Sequence, residues 1–150
     1  MQCSAKKPPY GDSPDYDPEY KNHFYILLSS SKFYFNYRHT GNVVTLYKYL
    51  KARGIHDDRI LLMLPENHAC NARNQFPGKI YVDPEHDENF YCDDIEVDYK
   101  RNDLTFDAIL NMLRGRYDPN FPVSKKLKTN ADSKIFIYFN GHGGENFFKI

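Results

Sequence analysis

His142 is the residue whose neighbours best fit it for chemistry. It lies in the stretch Ile135-Phe136-Ile137-Tyr138-Phe139-Asn140-Gly141-His142-Gly143-Gly144. An imidazole takes and returns a proton near neutral pH. Glycines around it permit positive φ and leave backbone N–H groups open to a substrate oxygen. Together these are the parts of a general base with an oxyanion donor beside it, and equally those of a tight turn with a solvated histidine. A second set of candidates is acidic. Asp57-Asp58 and Asp93-Asp94-Ile95-Glu96-Val97-Asp98 offer hard oxygen donors, and Glu96 and Asp98 would point to one side of an extended segment. The same acids would serve as a solvated loop answering Lys100 and Arg101. Three cysteines, Cys3, Cys70 and Cys92, lack metal-like spacing, and their odd number leaves at least one thiol free or paired with another chain.

A base at position 142 needs an element to hold it. The unbroken apolar run at residues 135–139 reads as a strand buried on both faces of a parallel sheet. His142 then sits just past a strand's carboxyl end, where open α/β sheets place their chemistry. Residues 23–31 read as a second buried strand running into a turn of serines. Val43, Val44, Tyr47 and Leu50 share one face of a helix that Gly54 stops, and residues 59–64 form a third apolar run ended by Pro65. Strand, helix and strand in that order make a βαβ unit. A polar insertion follows, in which residues 79–82 and 95–99 are expected to form a small hairpin or ribbon outside the main sheet. Thr105 is placed to cap a helix whose face is Phe106, Ile109, Leu110 and Leu113, with Gly115 at its end.

The fold expected is therefore α/β: a three-stranded, mainly parallel sheet with crossover helices and a small β insertion. Residues 1–22, with Pro8, Pro9, Pro14 and Pro18, read as a flexible arm, and residues 23–150 as one domain. With 41% hydrophobic and 16% aromatic residues the chain can build a core. Twenty basic and twenty acidic residues cancel, so no global field favours nucleic acid, and no run is long enough to span a bilayer. Three parallel strands leave two apolar edges unpaired, so the expectation is the N-terminal part of a larger domain.

Four ordered stretches carry a resemblance: Lys32-Phe33-Tyr34-Phe35-Asn36-Tyr37-Arg38-His39, Ala69-Cys70-Asn71-Ala72-Arg73-Asn74, Asp94-Ile95-Glu96-Val97-Asp98-Tyr99 and the His142 stretch. They resemble the legumain-like cysteine peptidases of caspase-type fold, and within that family the catalytic subunits of glycosylphosphatidylinositol (GPI)-anchor transamidases. The resemblance covers about residues 22–150 and implies a truncation before the strand that ends in the nucleophile. It implies His142 as the catalytic histidine, Gly143 as an oxyanion donor, and Asn36 as the residue that orients the imidazole. Asn36 is also a good N-cap for the helix that follows. Arg38 is implied to line the substrate cleft, or else is a surface arginine. Cys70 is implied to form a disulfide to a partner subunit, and Asp57, Ile95 through its carbonyl, Glu96 and Asp98 to hold a structural calcium ion. No cofactor is expected for the chemistry itself.

The activity so implied is cleavage of a precursor's C-terminal signal through a cysteine thioester, followed by acyl transfer to the ethanolamine amine of a GPI lipid. The implied setting is a lumenal domain of an endoplasmic reticulum membrane complex, with the other transamidase subunits, the precursor signal and the GPI lipid as partners. Lacking the thiol, the 150 residues alone are expected to be inactive. A fragment of a legumain-type asparaginyl endopeptidase and a non-catalytic α/β interaction module are the alternatives.

Overall fold

A computed structural model describes residues 22–83, 88–91 and 95–150, so of the expected arm at 1–22 all but Asn22 lies outside the described residues. The elements in order are β1 (His23–Ser29), α1 (Tyr37–Ala52), β2 (Ile60–Leu64), β3 (Tyr99–Lys100), α2 (Phe106–Leu113), β4 (Lys134–Asn140), β5 (Gly143–Gly144) and β6 (Phe147–Phe148). The main sheet runs β3-β2-β1-β4 with every pair parallel. β1 lies between the two other long strands, with Leu27 opposite both Leu62 and Tyr138, and this explains its unbroken apolar sequence.

Side chains of β1 and β2 alternate between two cores, as the two-residue period of a strand requires. Phe24, Ile26, Leu28, Leu61 and Met63 pack with Tyr99, Leu104, Ile109 and Met112 on the α2 side. Leu27, Ile60, Leu62 and Leu64 pack with Val43, Val44, Tyr47 and Leu50 of α1 on the other. The α1 face read from the sequence is thus the buried one. Gly54, at φ 81°, ends the helix, and the Ile55 N–H returns to the Leu50 carbonyl at 3.1 Å to close the last turn. Thr105 does cap α2, its Oγ1 accepting from the Ala108 N–H at 3.1 Å. The buried face of α2 is set by Ile109 and Met112, however, while Phe106 and Leu113 are exposed. Over eight residues, apolar side chains fall on more than one side, and spacing alone does not choose among them.

Three further expectations change. No hairpin forms from 79–82 and 95–99. Ile80 is buried, with its N–H on Asn89 Oδ1 and its carbonyl taken by the Phe90 N–H. The second piece is drawn instead to the open edge of β2. There the Asp98 N–H reaches the Leu62 carbonyl at 2.9 Å, and Tyr99 and Lys100 pair with Met63 and Leu64 as a short fourth strand. The third change concerns β4, which is the outer strand of the described sheet. Ile135, Phe136, Ile137 and Phe139 are 36–47% exposed instead of buried on both faces. An apolar run identifies a strand, but how much of it is covered depends on neighbours the run does not contain.

Candidate active site

β1 and β4 run in register to their carboxyl ends, with Ser29 opposite Asn140, so the turns that follow them meet. The turn after β1 delivers Asn36, and that after β4 delivers His142. Asn36 Nδ2 donates to the Lys32 carbonyl at 2.7 Å, which leaves Oδ1 as the atom facing His142 Nε2, 2.8 Å away. A carbonyl-type oxygen only accepts, so Nε2 carries the ring proton and Nδ1 keeps the lone pair. The asparagine thereby selects the tautomer in which Nδ1 is the base. Asn36 does occupy the N-cap position of α1, but its side chain makes no capping bond and is spent on His142 and Lys32 instead.

The glycines around His142 are required by close approach and not by positive φ, which among the described glycines occurs only at Gly54, Gly78 and Gly115. A Cβ on Gly141 would lie 1.9 Å from Ser30 Oγ. The histidine is followed by a hairpin, β5 against β6, whose turn places Asn146 at φ 64°. The Lys149 N–H reaches the His142 carbonyl at 2.8 Å, which makes 142–149 a hydrogen-bonded pair of the antiparallel ladder. Gly143 and Phe148, the next pair, therefore fall between ladder bonds, and the Gly143 N–H is directed away from β6. That orientation leaves it available to a ligand oxygen.

His39 completes the cluster, though nothing in its local sequence marks it as a site residue by itself. Its ring packs edge-on against His142 with centroids 5.0 Å apart, and its Nδ1 is bonded to Asn140 Oδ1, the last residue of β4. The available signal was its position three residues after Asn36 at the start of a helix, which puts both on one face. Beside His142 opens a cleft of about 410 Å³ whose wall includes Ser31, Lys32, Phe33, Phe35 and Asn36. Phe33 and Phe35 stack there at 5.9 Å, both largely exposed.

The other candidates lie elsewhere. Arg38 is exposed, donates to the Phe35 carbonyl at 3.3 Å, and does not line this cleft. Cys70 is a free, exposed thiol in the loop after β2. Cys3, Cys92, Asp93 and Asp94 lie outside the described residues. Asp57 accepts from the Tyr47 hydroxyl at 2.5 Å and is ion-paired with Lys51. Asp98 is buried and accepts the Leu62 N–H at 2.8 Å. Burial pushes its carboxyl up to about 7, against the pull of that N–H, and the neighbouring charges of Glu96 and Asp57 add to the rise. Glu96 is exposed, and its backbone N–H faces the Tyr47 hydroxyl at 3.4 Å; Ile95 is half-buried. Among the described residues, no three His, Cys, Asp or Glu side chains come together in a group that could hold a metal ion.

The sequence matches the family described as peptidase C13 over residues 23–150. It is 42% identical over 134 residues to a GPI-anchor transamidase of Schizosaccharomyces pombe, covering 89% of this chain and 35% of that protein. It is 43% identical to the GPI-anchor transamidase of Saccharomyces cerevisiae, covering 86% and 31%, and 41% identical to that of Homo sapiens, covering 86% and 33%. The chain thus spans about a third of the length of these relatives. A match that begins at the first residue of β1 and runs through His142 takes in the whole described sheet, and on that ground the chain belongs to the peptidase C13 family.

Proposed function

We propose that these residues form the histidine-bearing part of a GPI-anchor transamidase catalytic subunit. The observation that carries this is the Asn36–His142 contact, which leaves Nδ1 as a base at the carboxyl end of β4. The named relatives favour it over an endopeptidase or an interaction module. In the proposed reaction His142 Nδ1 takes the proton of a cysteine thiol, and the thiolate attacks the carbonyl carbon at the precursor's cleavage point. The Gly143 N–H donates to the oxyanion. The imidazolium then gives its proton to the departing amine of the C-terminal signal, leaving a thioester. The ethanolamine amine of a GPI lipid attacks that thioester, His142 takes the amine's proton, and the sulfur leaves. Water competes in the second step, so the cleft has to favour the amine.

Among the described residues no cysteine lines the cleft, so on this proposal the thiol comes from elsewhere and residues 1–150 alone are expected not to turn over. Arg38, exposed on the first turn of α1, would contact substrate only beyond the cleft described. The exposure of Cys70 suits a disulfide to another subunit in the oxidising lumen of the endoplasmic reticulum. Alkylation of Cys70 in the native complex should then require prior reduction, and immediate labelling would sink that part. Among the described residues no helix is long and apolar enough to cross a membrane. Asp57, Glu96, Asp98 and the Ile95 carbonyl would hold calcium, which would neutralise the crowding of negative charge there. In the assembled enzyme, His142→Ala should lower transfer of a precursor to hydrazine by about 10²–10⁴-fold, the usual worth of a general acid–base group. Undiminished transfer would overturn the reading.

A further inference from the structure

The Lys32–Phe33 peptide joins the catalytic cluster to a carboxylate that does not touch it. On one side of this peptide, the Lys32 carbonyl accepts from Asn36 Nδ2 at 2.7 Å; on the other, the Phe33 N–H donates to Glu66 Oε2 at 2.6 Å. The resulting chain runs Glu66 carboxylate, peptide unit, Asn36 amide, His142 imidazole, with bonds of 2.6, 2.7 and 2.8 Å. All point the same way, each donor hydrogen directed toward the Glu66 end. Hydrogen bonds in such a row polarise one another. A carboxylate on the Phe33 N–H makes the Lys32 carbonyl a better acceptor. That bond draws on the Asn36 amide and makes its Oδ1 a better acceptor for the His142 Nε2–H.

The surroundings hold this row in place. Phe33 has φ 70°, a conformation unfavourable for a side chain with a Cβ, and such strain persists only where neighbours fix it. Its carbonyl is bonded by His68 Nε2 at 3.0 Å, while His68 Nδ1 faces Thr40 Oγ1 at 2.8 Å, fully buried. Glu66 is itself steadied by Asn71 Nδ2 on Oε1 at 3.0 Å. The loop after β2 therefore holds Phe33 through both its backbone N–H and its backbone carbonyl, on the two peptides that flank its Cα. We propose that Glu66 is a positioning residue for His142, acting through the Lys32–Phe33 peptide and the Asn36 amide. It supplies to a histidine–asparagine pair the negative end that a neutral amide lacks.

This deepens the proposed role of His142 as a base, but its test requires no turnover. In the 150-residue chain, ¹⁵N resonances of the histidine side chains are read at a pH where the rings are neutral. The unaltered chain should show His142 with one protonated and one bare nitrogen, widely separated. In Glu66→Ala the two His142 resonances should converge toward those of a freely exchanging imidazole, while exposed His56 stays unchanged. Glu66→Gln keeps an oxygen for the Phe33 N–H without the charge and should fall between the two. Should Glu66→Ala disturb the fold, visible as movement of the buried His68 signals, Glu66→Gln alone decides. His142 resonances unchanged in either folded variant would overturn the proposal, whereas undiminished hydrazine transfer in His142→Ala would bear only on the reaction assigned above.

Discussion

At the scale of single residues the site depends on two close fits, one polar and one steric. The polar fit is Asn36 Oδ1 to His142 Nε2, which sets the tautomer; the steric one is Gly141 against Ser30. Gly141→Ala would put a Cβ 1.9 Å from Ser30 Oγ, with Phe148 Cζ at 3.2 Å, so the turn carrying His142 has to move. Overpacking of this kind costs about 1–3 kcal/mol. Ser30→Ala removes the offending oxygen and leaves its own Cβ at 3.2 Å, a contact small adjustments can absorb. Melting temperatures of the two single variants and the double should therefore be non-additive, with Ser30→Ala restoring most of what Gly141→Ala loses. Additive losses would mean that the turn yields in some other direction.

At the scale of elements, the sequence revealed what local pattern controls. The apolar runs placed β1, β2 and β4, the spacing of Val43, Val44, Tyr47 and Leu50 found the buried side of α1, and Thr105 marked the start of α2. It did not reveal that residues 98–100 would abandon a hairpin for the edge of β2, because strand pairing is decided by a free edge elsewhere in the chain. The contact of Asn36 with a histidine 106 positions away was legible only through the family resemblance, which implies that Asn36 orients the imidazole; residue type and local spacing alone pointed to an N-cap. The segment entering β3 carries a measurable consequence. Asp98 has its folded-state carboxyl raised to about 7 from 3.8, chiefly by burial. The folded chain thus holds a proton that the unfolded chain releases between those values, so stability is full below about pH 4 and falls as pH rises through 7. The loss is at most about 4 kcal/mol by linkage. With a chelator present, chemical denaturation across pH 4–8 should show that decline, and Asp98→Asn should flatten it. If calcium binds as proposed, adding it at pH 7.5 should raise the midpoint of the unaltered chain but not of Asp98→Asn. A flat profile would mean that water reaches Asp98.

At the scale of the whole molecule, the sheet is covered unevenly. β1 and β2 are buried between α1 and α2, whereas β4, which holds His142 at its end, shows Ile135, Phe136, Ile137 and Phe139 to solvent, with Phe147 and Phe148 of the hairpin exposed nearby. A long apolar strand with one side unpaired among the described residues invites another strand. The reaction proposed for His142 makes a matching demand, for a thiol within reach of Nδ1 at the same end of the sheet. One added strand, parallel to β4 and ending in a cysteine, would satisfy both, covering the apolar edge and completing the dyad. In β4, successive residues direct their N–H groups alternately toward β1 and away from it. In the 150-residue chain, then, only the amides facing β1 should resist hydrogen exchange, giving alternating protection along Lys134–Asn140. In the assembled enzyme, the amides facing away should become protected too, and the alternation should disappear. Alternation that persists in the active enzyme would show that β4 remains an edge, and the thiol would then have to reach His142 from a loop instead of a neighbouring strand.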